Sequence, residues 1–369
     1  MYKMMTPGPT MVAENVRNAR SIEVGNPDFD TDFFDYYKET CELYSSLLHT
    51  ENESLILSGE GILGLEAAIA SITETGDRVL VLNNGVFGKG FGDFVSMYGG
   101  EPVLYTVDYK REIETEPLRE YLDKDSDFKY ATLVHCDTPS GMLNDISKLC
   151  PLLKEYGIIT VVDSVSGMFG NAVDVDESQI DILCGGSQKA ISAPIGLTLV
   201  TLSDAAKQAM ENRKTKIPSF YANLMIFKDY YENKWFPYSM PISDIYGLRQ
   251  ALENIKNDPD MLGRHARIAK KTREAIVRSG LHLYAENGYS DTVTVFTVPG
   301  GVTASDILRV MREEHGIMLA GSFDVMAGEV IRIGHMGYNC SQENMEEVLC
   351  ALDATLTKLG VALKQPLKF

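Results

Sequence analysis

The chain has 369 residues, more than one hydrophobic core usually organises, so two domains are expected. Its 52 aspartates and glutamates outnumber 34 lysines and arginines, for a formal charge of −18. A surface that acidic repels nucleic acid and anionic membrane, so neither is expected as a partner.

From the N-terminus, MYKMMTPGPT carries neither a basic segment nor an apolar leader, and no signal peptide is expected. A glycine-rich stretch, LSGEGILGLE, runs from Leu57 to Glu66 and feeds a helical pattern, LEAAIASI. Buried strands are predicted at Arg78–Leu82, Pro102–Val107, Tyr130–His135, Gly157–Asp163, Asp181–Cys184 and Gly196–Leu202. Amphipathic segments at Phe91–Tyr98, Glu116–Leu122 and Ile146–Tyr156 separate them. Short, nearly continuous apolar strands alternating with helices predict an α/β domain, with a mostly parallel sheet covered on both faces. Ligands of such a sheet gather at the carboxyl ends of its strands.

Further on, helices are predicted from Ser243 to about Asn257 and from Met261 to Ser279. A strand at Thr292–Val298, a helix at Ser305–His315, a strand near Val330–Ile333 and a last helix at Gln342–Leu359 complete the chain. The expected division is an N-terminal arm (1–14), a large domain (15–255) and a smaller α+β domain (256–369). No run of about 18 apolar residues is present to span a bilayer. The six cysteines (Cys41, Cys136, Cys150, Cys184, Cys340, Cys350) fall in no CxxC pair or metal-ligand spacing. They read as reduced, mostly buried thiols of a cytoplasmic protein without a metal site.

Three features carry chemistry. Lys189, in GGSQKA after the DILC strand, leads into an apolar stretch where burial would lower its pKa, as Schiff-base chemistry requires. Its spacing also fits a surface lysine at a strand end. Asp163 ends the strand GIITVVD, either as a site carboxylate at the sheet's carboxyl edge or as a helix N-cap. The glycine-rich loop before LEAAIASI could present helix N–H groups to a phosphate, but Glu60 inside it counts against one.

Together with the glycine-rich stretch, six motifs, two of them holding Lys189 and Asp163, resemble the class V, fold type I aminotransferases, particularly the alanine/serine–glyoxylate group. They are Thr6-Pro-Gly-Pro-Thr10, Asn84-Gly-Val-Phe-Gly88, His135-Cys-Asp-Thr-Pro-Ser-Gly141, Val162-Asp-Ser-Val-Ser-Gly167, GGSQKAISAPIG and Arg332-Ile-Gly-His-Met-Gly337. The resemblance runs through nearly the whole chain and implies pyridoxal 5′-phosphate as cofactor.

Carried over by position, Lys189 would be the Schiff-base lysine and the base that moves the substrate proton. Asp163 would hold the pyridine nitrogen and keep the ring an electron sink. Phe87 would stack on the ring where relatives often have tryptophan, or else belong to the core. Thr138 and Ser166 would lie near the ring hydroxyl, with Asp137 in place of a usual glutamate. Gly61, Ile62 and Gln188 would cradle the phosphate. Arg332 would bind the substrate carboxylate, unless it pairs with a protein acid. The segment Phe236-Pro-Tyr-Ser239-Met-Pro241 matches one that reaches the neighbouring subunit's phosphate in relatives, which implies a homodimer with composite sites. Ser239 keeps a hydroxyl there, and Phe236 has lost one. Asn26 falls in the region that shapes the substrate pocket.

The resulting expectation is transamination between a small amino acid, alanine or serine, and a 2-oxo acid, glyoxylate or pyruvate. A 2-aminoethylphosphonate–pyruvate transaminase is one alternative, and a lyase or desulfurase of the same fold another. Against a desulfurase, no cysteine lies between Cys184 and Arg332, and Gln188 rather than histidine precedes Lys189. A silent PLP-binding protein is disfavoured by the presence of Lys189, Asp163 and Arg332 together.

Overall fold

Strands that are apolar on both faces need cover on both, and the computed structural model, which describes residues 2–369, supplies it with helices packed around one large sheet. The chain opens with β1 (Lys3–Met4), α1 (Glu14–Arg20), α2 (Thr31–Leu47), β2 (Glu53–Ser58), α3 (Gly61–Ile72), β3 (Arg78–Asn83), α4 (Val86–Met97) and β4 (Glu101–Thr106). Next come α5 (Thr115–Leu122), β5 (Tyr130–Val134), the small hairpin β6 (Cys136–Asp137) and β7 (Met142–Leu143), α6 (Ile146–Glu155), β8 (Ile159–Asp163), β9 (Ile182–Gly186) and β10 (Leu197–Leu202). After them follow α7 (Asp204–Glu211), α8 (Ile242–Lys256), α9 (Met261–Arg278), β11 (Val293–Thr297), α10 (Ala304–His315), β12 (Ile317–Met318), β13 (Val330–Gly334) and α11 (Gln342–Lys358).

Seven strands form the main sheet in the order β2-β10-β9-β8-β5-β3-β4. Only β10 runs against its neighbours, and the other pairings are parallel. Asp163 therefore closes an interior strand, in register with Val134 of β5 and Cys184 of β9. The carboxyl ends of β2, β3, β8 and β9 share one edge of the sheet, and each runs into a turn or helix that carries site residues. No helix among the described residues is long and apolar enough to cross a membrane.

The expected strands and the later helices are present within a residue or two. Elements not anticipated are α1, α2, α7 and β2, with the two-residue strands β1, β6, β7 and β12. The signal for α2 lies in its buried set Phe33, Phe34, Tyr37, Cys41 and Tyr44, a helical stripe obscured by its aromatic content. Helix α4 begins at Val86, five residues earlier than expected, because VFGKGFG reads as a breaker. Gly88 has a packing reason: a Cβ there would stand 3.0 Å from the Leu82 carbonyl of β3. Phe87 thus lies in the first turn of a helix.

Most buried apolar side chains form one cluster around the main sheet, and a second gathers α9, α10, α11 and the β11–β13 ladder. The N-terminal arm joins this second group to the Lys189 loop. β1 pairs in parallel with β12, Gly334 N–H donates to Met5 O (2.7 Å), and Thr10 N–H donates to Gln188 O (3.0 Å).

At the sheet edge, β2 is sealed by one side chain. The fully buried Tyr37 hydroxyl donates to Ile56 O and accepts from Ile56 N–H, both at 2.8 Å. It thereby satisfies backbone groups that an edge strand leaves unpaired. Tyr37→Phe should lower stability in urea unfolding by about 1–3 kcal/mol, the cost of stranding buried polar groups. An unchanged midpoint would show that water or another group replaces the hydroxyl.

Candidate active site

The turn after β9 sets Lys189 at the carboxyl edge of the sheet, and the N-terminal arm closes over it. Lys189 Nζ donates to the Pro7 carbonyl at 2.9 Å. Gly8, at φ +85°, lies so close that a Cβ would meet Nζ at 2.8 Å, so glycine is required both by conformation and by the lysine's path. Lys189 has no carboxylate partner among the described residues, and burial pushes its ammonium below the ordinary lysine range. It is not a surface lysine.

Asp163 is nearly buried, and its Oδ1 accepts the Val165 N–H at 2.9 Å. No helix follows for it to cap. Burial with so few donors pushes its carboxyl up to about 7. A cation placed against this carboxylate would relieve that penalty. Asp163 and Lys189 line one small cavity together with Phe87, Ile62 and Ser166. Five of the residues expected from the sequence thus converge there.

Sequence reasoning left Cys136, Leu65 and Val165 unassigned, and all three line the same cavity. Cys136 donates to Ser290 Oγ at 3.2 Å, and burial pushes its thiol up to about 11, which leaves it an inert wall. Its position beside Asp137 in the β6 hairpin was the available signal. Five of the six cysteines are buried, Cys350 being exposed. Asp137 does not line the cavity. It accepts Phe87 N–H (3.0 Å) and Ser140 Oγ–H (2.7 Å), so it pins the first turn of α4 and the ring of Phe87.

Arg332 stands outside the cavity, on β13. Its Nε donates to Gly321 O at 2.5 Å, and its Cζ lies 5.7 Å from the Phe323 ring centroid. Phe323 in turn meets Phe87 edge-on at 6.1 Å. No carboxylate among the described residues pairs with Arg332, and burial lowers its pKa to about 10. The ion-pair alternative is thereby removed, and the guanidinium fork is left open for an anion.

The remaining expected residues divide. Gly61 starts α3 against the cavity floor, where a Cβ would stand 3.1 Å from the Val165 methyls. Gln188 is buried, and its Nε2 is held by Glu60 Oε1. Thr138 is buried but does not line the cavity. Ser239 lies on the surface, donating to Asp28 Oδ2 at 2.8 Å, and Asn26 is exposed in the same region. Neither is brought to the cavity of its own chain. Phe236 is a core residue, stacked on Phe34 at 4.5 Å and 9°, which accounts for its missing hydroxyl. A larger cleft between α2 and residues 224–232 contains none of the expected site residues.

The ring implied by the sequence resemblance can be tested against this chemistry. A basic ring nitrogen fits buried Asp163, an aldehyde carbon fits the depressed amine of Lys189, and an aromatic face fits Phe87. The ring end therefore matches. At the phosphate end the match fails: Glu60 is the N-cap of α3, and its Oε2 already accepts the Ile62 N–H at 3.0 Å. A carboxylate of the chain occupies donors that a phosphate would use.

A family model described as aminotransferase class-V matches residues 12–347. The pyridoxamine–pyruvate transaminase of Mesorhizobium japonicum is 30% identical, over 90% of this chain and 86% of its own. Alanine–glyoxylate aminotransferase of Callithrix jacchus is 29% identical, over 96% and 87% respectively. Among solved structures, ureidoglycine–glyoxylate aminotransferase of Bacillus subtilis superposes with a TM-score of 0.95 at 27% identity, covering 100% of this chain and 96% of that one. With Lys189 and Asp163 at the carboxyl edge of the main sheet and Arg332 on the neighbouring β13, the chain belongs to the class-V aminotransferases.

Proposed function

We propose that this aminotransferase moves an amino group between a small amino acid, alanine or serine, and a small 2-oxo acid, glyoxylate or pyruvate, using a pyridoxal ring bound at Lys189. The observation that carries the reading is the convergence of Lys189, Asp163 and Phe87 on one cavity, with the unpaired Arg332 beyond Phe87. The sequence resemblance implies this ring as pyridoxal 5′-phosphate, which would supply an electron sink for the bond broken at the substrate α-carbon.

The chain's own groups then have distinct tasks. Asp163 Oδ2, free of protein donors, holds the proton on the ring nitrogen. Phe87, fixed by Asp137, covers a ring face. Lys189 Nζ, guided by Gly8 and Pro7, would hold the ring and move a proton at the substrate α-carbon. Burial lowers its pKa below the ordinary lysine range, which favours the neutral, proton-accepting amine. Arg332 donates to the substrate carboxylate, and the Phe323 ring lies beside its guanidinium, 5.7 Å from Cζ.

The division into an arm (1–14), a large domain (15–255) and a small domain (256–369) belongs to this proposal, supported by the two separate apolar clusters. So does a homodimer with composite sites. Phe29 is 82% exposed, and Ile62, on the cavity rim, is 42% exposed. Apolar surface of that kind suits burial against a second copy. A fully active monomer in sedimentation would contradict the dimer.

The test is a half-reaction screen. Alanine or serine added to the ring-loaded protein should discharge the absorbance of the Lys189-linked ring, and glyoxylate or pyruvate should restore it. Arg332→Ala removes a charge-assisted pair worth about 1.5–3 kcal/mol, so kcat/KM should fall roughly ten- to a few-hundredfold for every α-amino acid. A preference for aminoethylphosphonate over alanine would reject the small-amino-acid reading and leave Lys189 and Asp163 in their roles.

A further inference from the structure

A pyridoxal ring with its nitrogen at Asp163 and its aldehyde carbon at Lys189 carries its remaining arm on the carbon next to the aldehyde. Glu60 and Ile62, at the start of α3, line this cavity, and Gln188 backs Glu60 from behind the wall. Phosphate there calls for free N–H groups, hydroxyls or a cation. The residues present offer the opposite set. Glu60 is the N-cap, with one carboxylate oxygen on Ile62 N–H and the other on Gln188 Nε2. That contact fixes the amide, because the reversed orientation would set two acceptors against each other. Gln188 Oε1 is consequently buried with no partner, in a residue only 4% exposed. Among the described residues, Lys189 is the one cation lining the cavity, and the ring's aldehyde carbon would claim it.

The arm therefore meets the Glu60 carboxylate. A phosphate dianion only accepts hydrogen bonds and is repelled by it. A hydroxymethyl group can donate one to Glu60. We propose that Glu60 makes this site select the unphosphorylated vitamers, pyridoxal and pyridoxamine, over their 5′-phosphates, so that the ring enters and leaves as a substrate.

This deepens the transaminase reading and rests on it. The exchange balances without an outside oxidant. The amino group leaves the exocyclic carbon of pyridoxamine, which is oxidised by two electrons to the aldehyde of pyridoxal. It joins the carbonyl carbon of the 2-oxo acid, which is reduced by two electrons to the amine-bearing carbon of the amino acid. One carbonyl oxygen is lost as water and one is gained from water. Lys189 moves the hydrogen between the two carbons as a proton, and Glu60 is a specificity-determining residue that touches only the arm.

The experiment titrates ring-free wild type, Glu60→Ser and Glu60→Gln with pyridoxal and, separately, with pyridoxal 5′-phosphate, following the absorbance of the lysine-linked ring. Wild type should bind pyridoxal at least about tenfold more tightly, since a like-charge contact readily costs that factor. Glu60→Ser keeps an N-cap and supplies a hydroxyl, so the preference should reverse by at least about tenfold, with Glu60→Gln between. The ratio within one protein cancels any general loss of stability, because both ligands share the ring. A wild-type preference for the phosphate, or a ratio unmoved by Glu60→Ser, overturns the inference and leaves the transaminase reading standing. Failure of both ligands to form the chromophore overturns the two together.

Discussion

Two buried groups of opposite charge, Asp163 and Lys189, face the same small cavity without pairing with each other. The arrangement is costly, because burial raises the carboxyl and lowers the amine with few protein hydrogen bonds in return. Paired directly, they would neutralise one another and close the cavity. Held apart by consecutive strands of one parallel sheet, they leave a gap whose ends want a protonated ring nitrogen and a carbonyl carbon. Much of the surrounding structure maintains that separation. The β8–β9 register fixes the strand ends, the turn of Val165 binds Asp163, and the N-terminal arm seats Gly8 against the lysine.

The strands of the main sheet were legible because burial on both faces leaves continuous apolar runs, and Asp163 and Lys189 were legible as polar breaks at their ends. Phe87 lines the cavity, but it lies in the first turn of α4, ahead of the helix start expected at Phe91. Its helix is built from glycines that pack closely on β3, which a propensity scale penalises. The aromatic stripe of α2 and the short strand β2 depend on each other through Tyr37 and Ile56, a contact that no local window contains. Whether Arg332 had a protein partner was open in the sequence, since both outcomes leave the same residues in the chain.

Glu60 shows the same limit more sharply. The sequence revealed a glycine-rich loop with one acid in it, and that acid stood against a phosphate. What it could not reveal is the partner, Gln188, 128 residues later, whose amide the acid orients. The lone pair that this leaves unmet, with the Glu60 cap, leaves the loop poor in free donors. On the vitamer proposal, the capping carboxylate sets a negative charge where a helix start would otherwise favour an anion.

The central claim is that Lys189 carries the ring. Borohydride reduction of the ring-loaded protein, followed by digestion and mass measurement of the peptides, reads this directly, because reduction turns the imine into a stable amine. The account predicts one modified peptide, with the added pyridoxyl group on Lys189. A label on any other lysine, or an unmodified Lys189 in protein that shows the ring's absorbance, would contradict it.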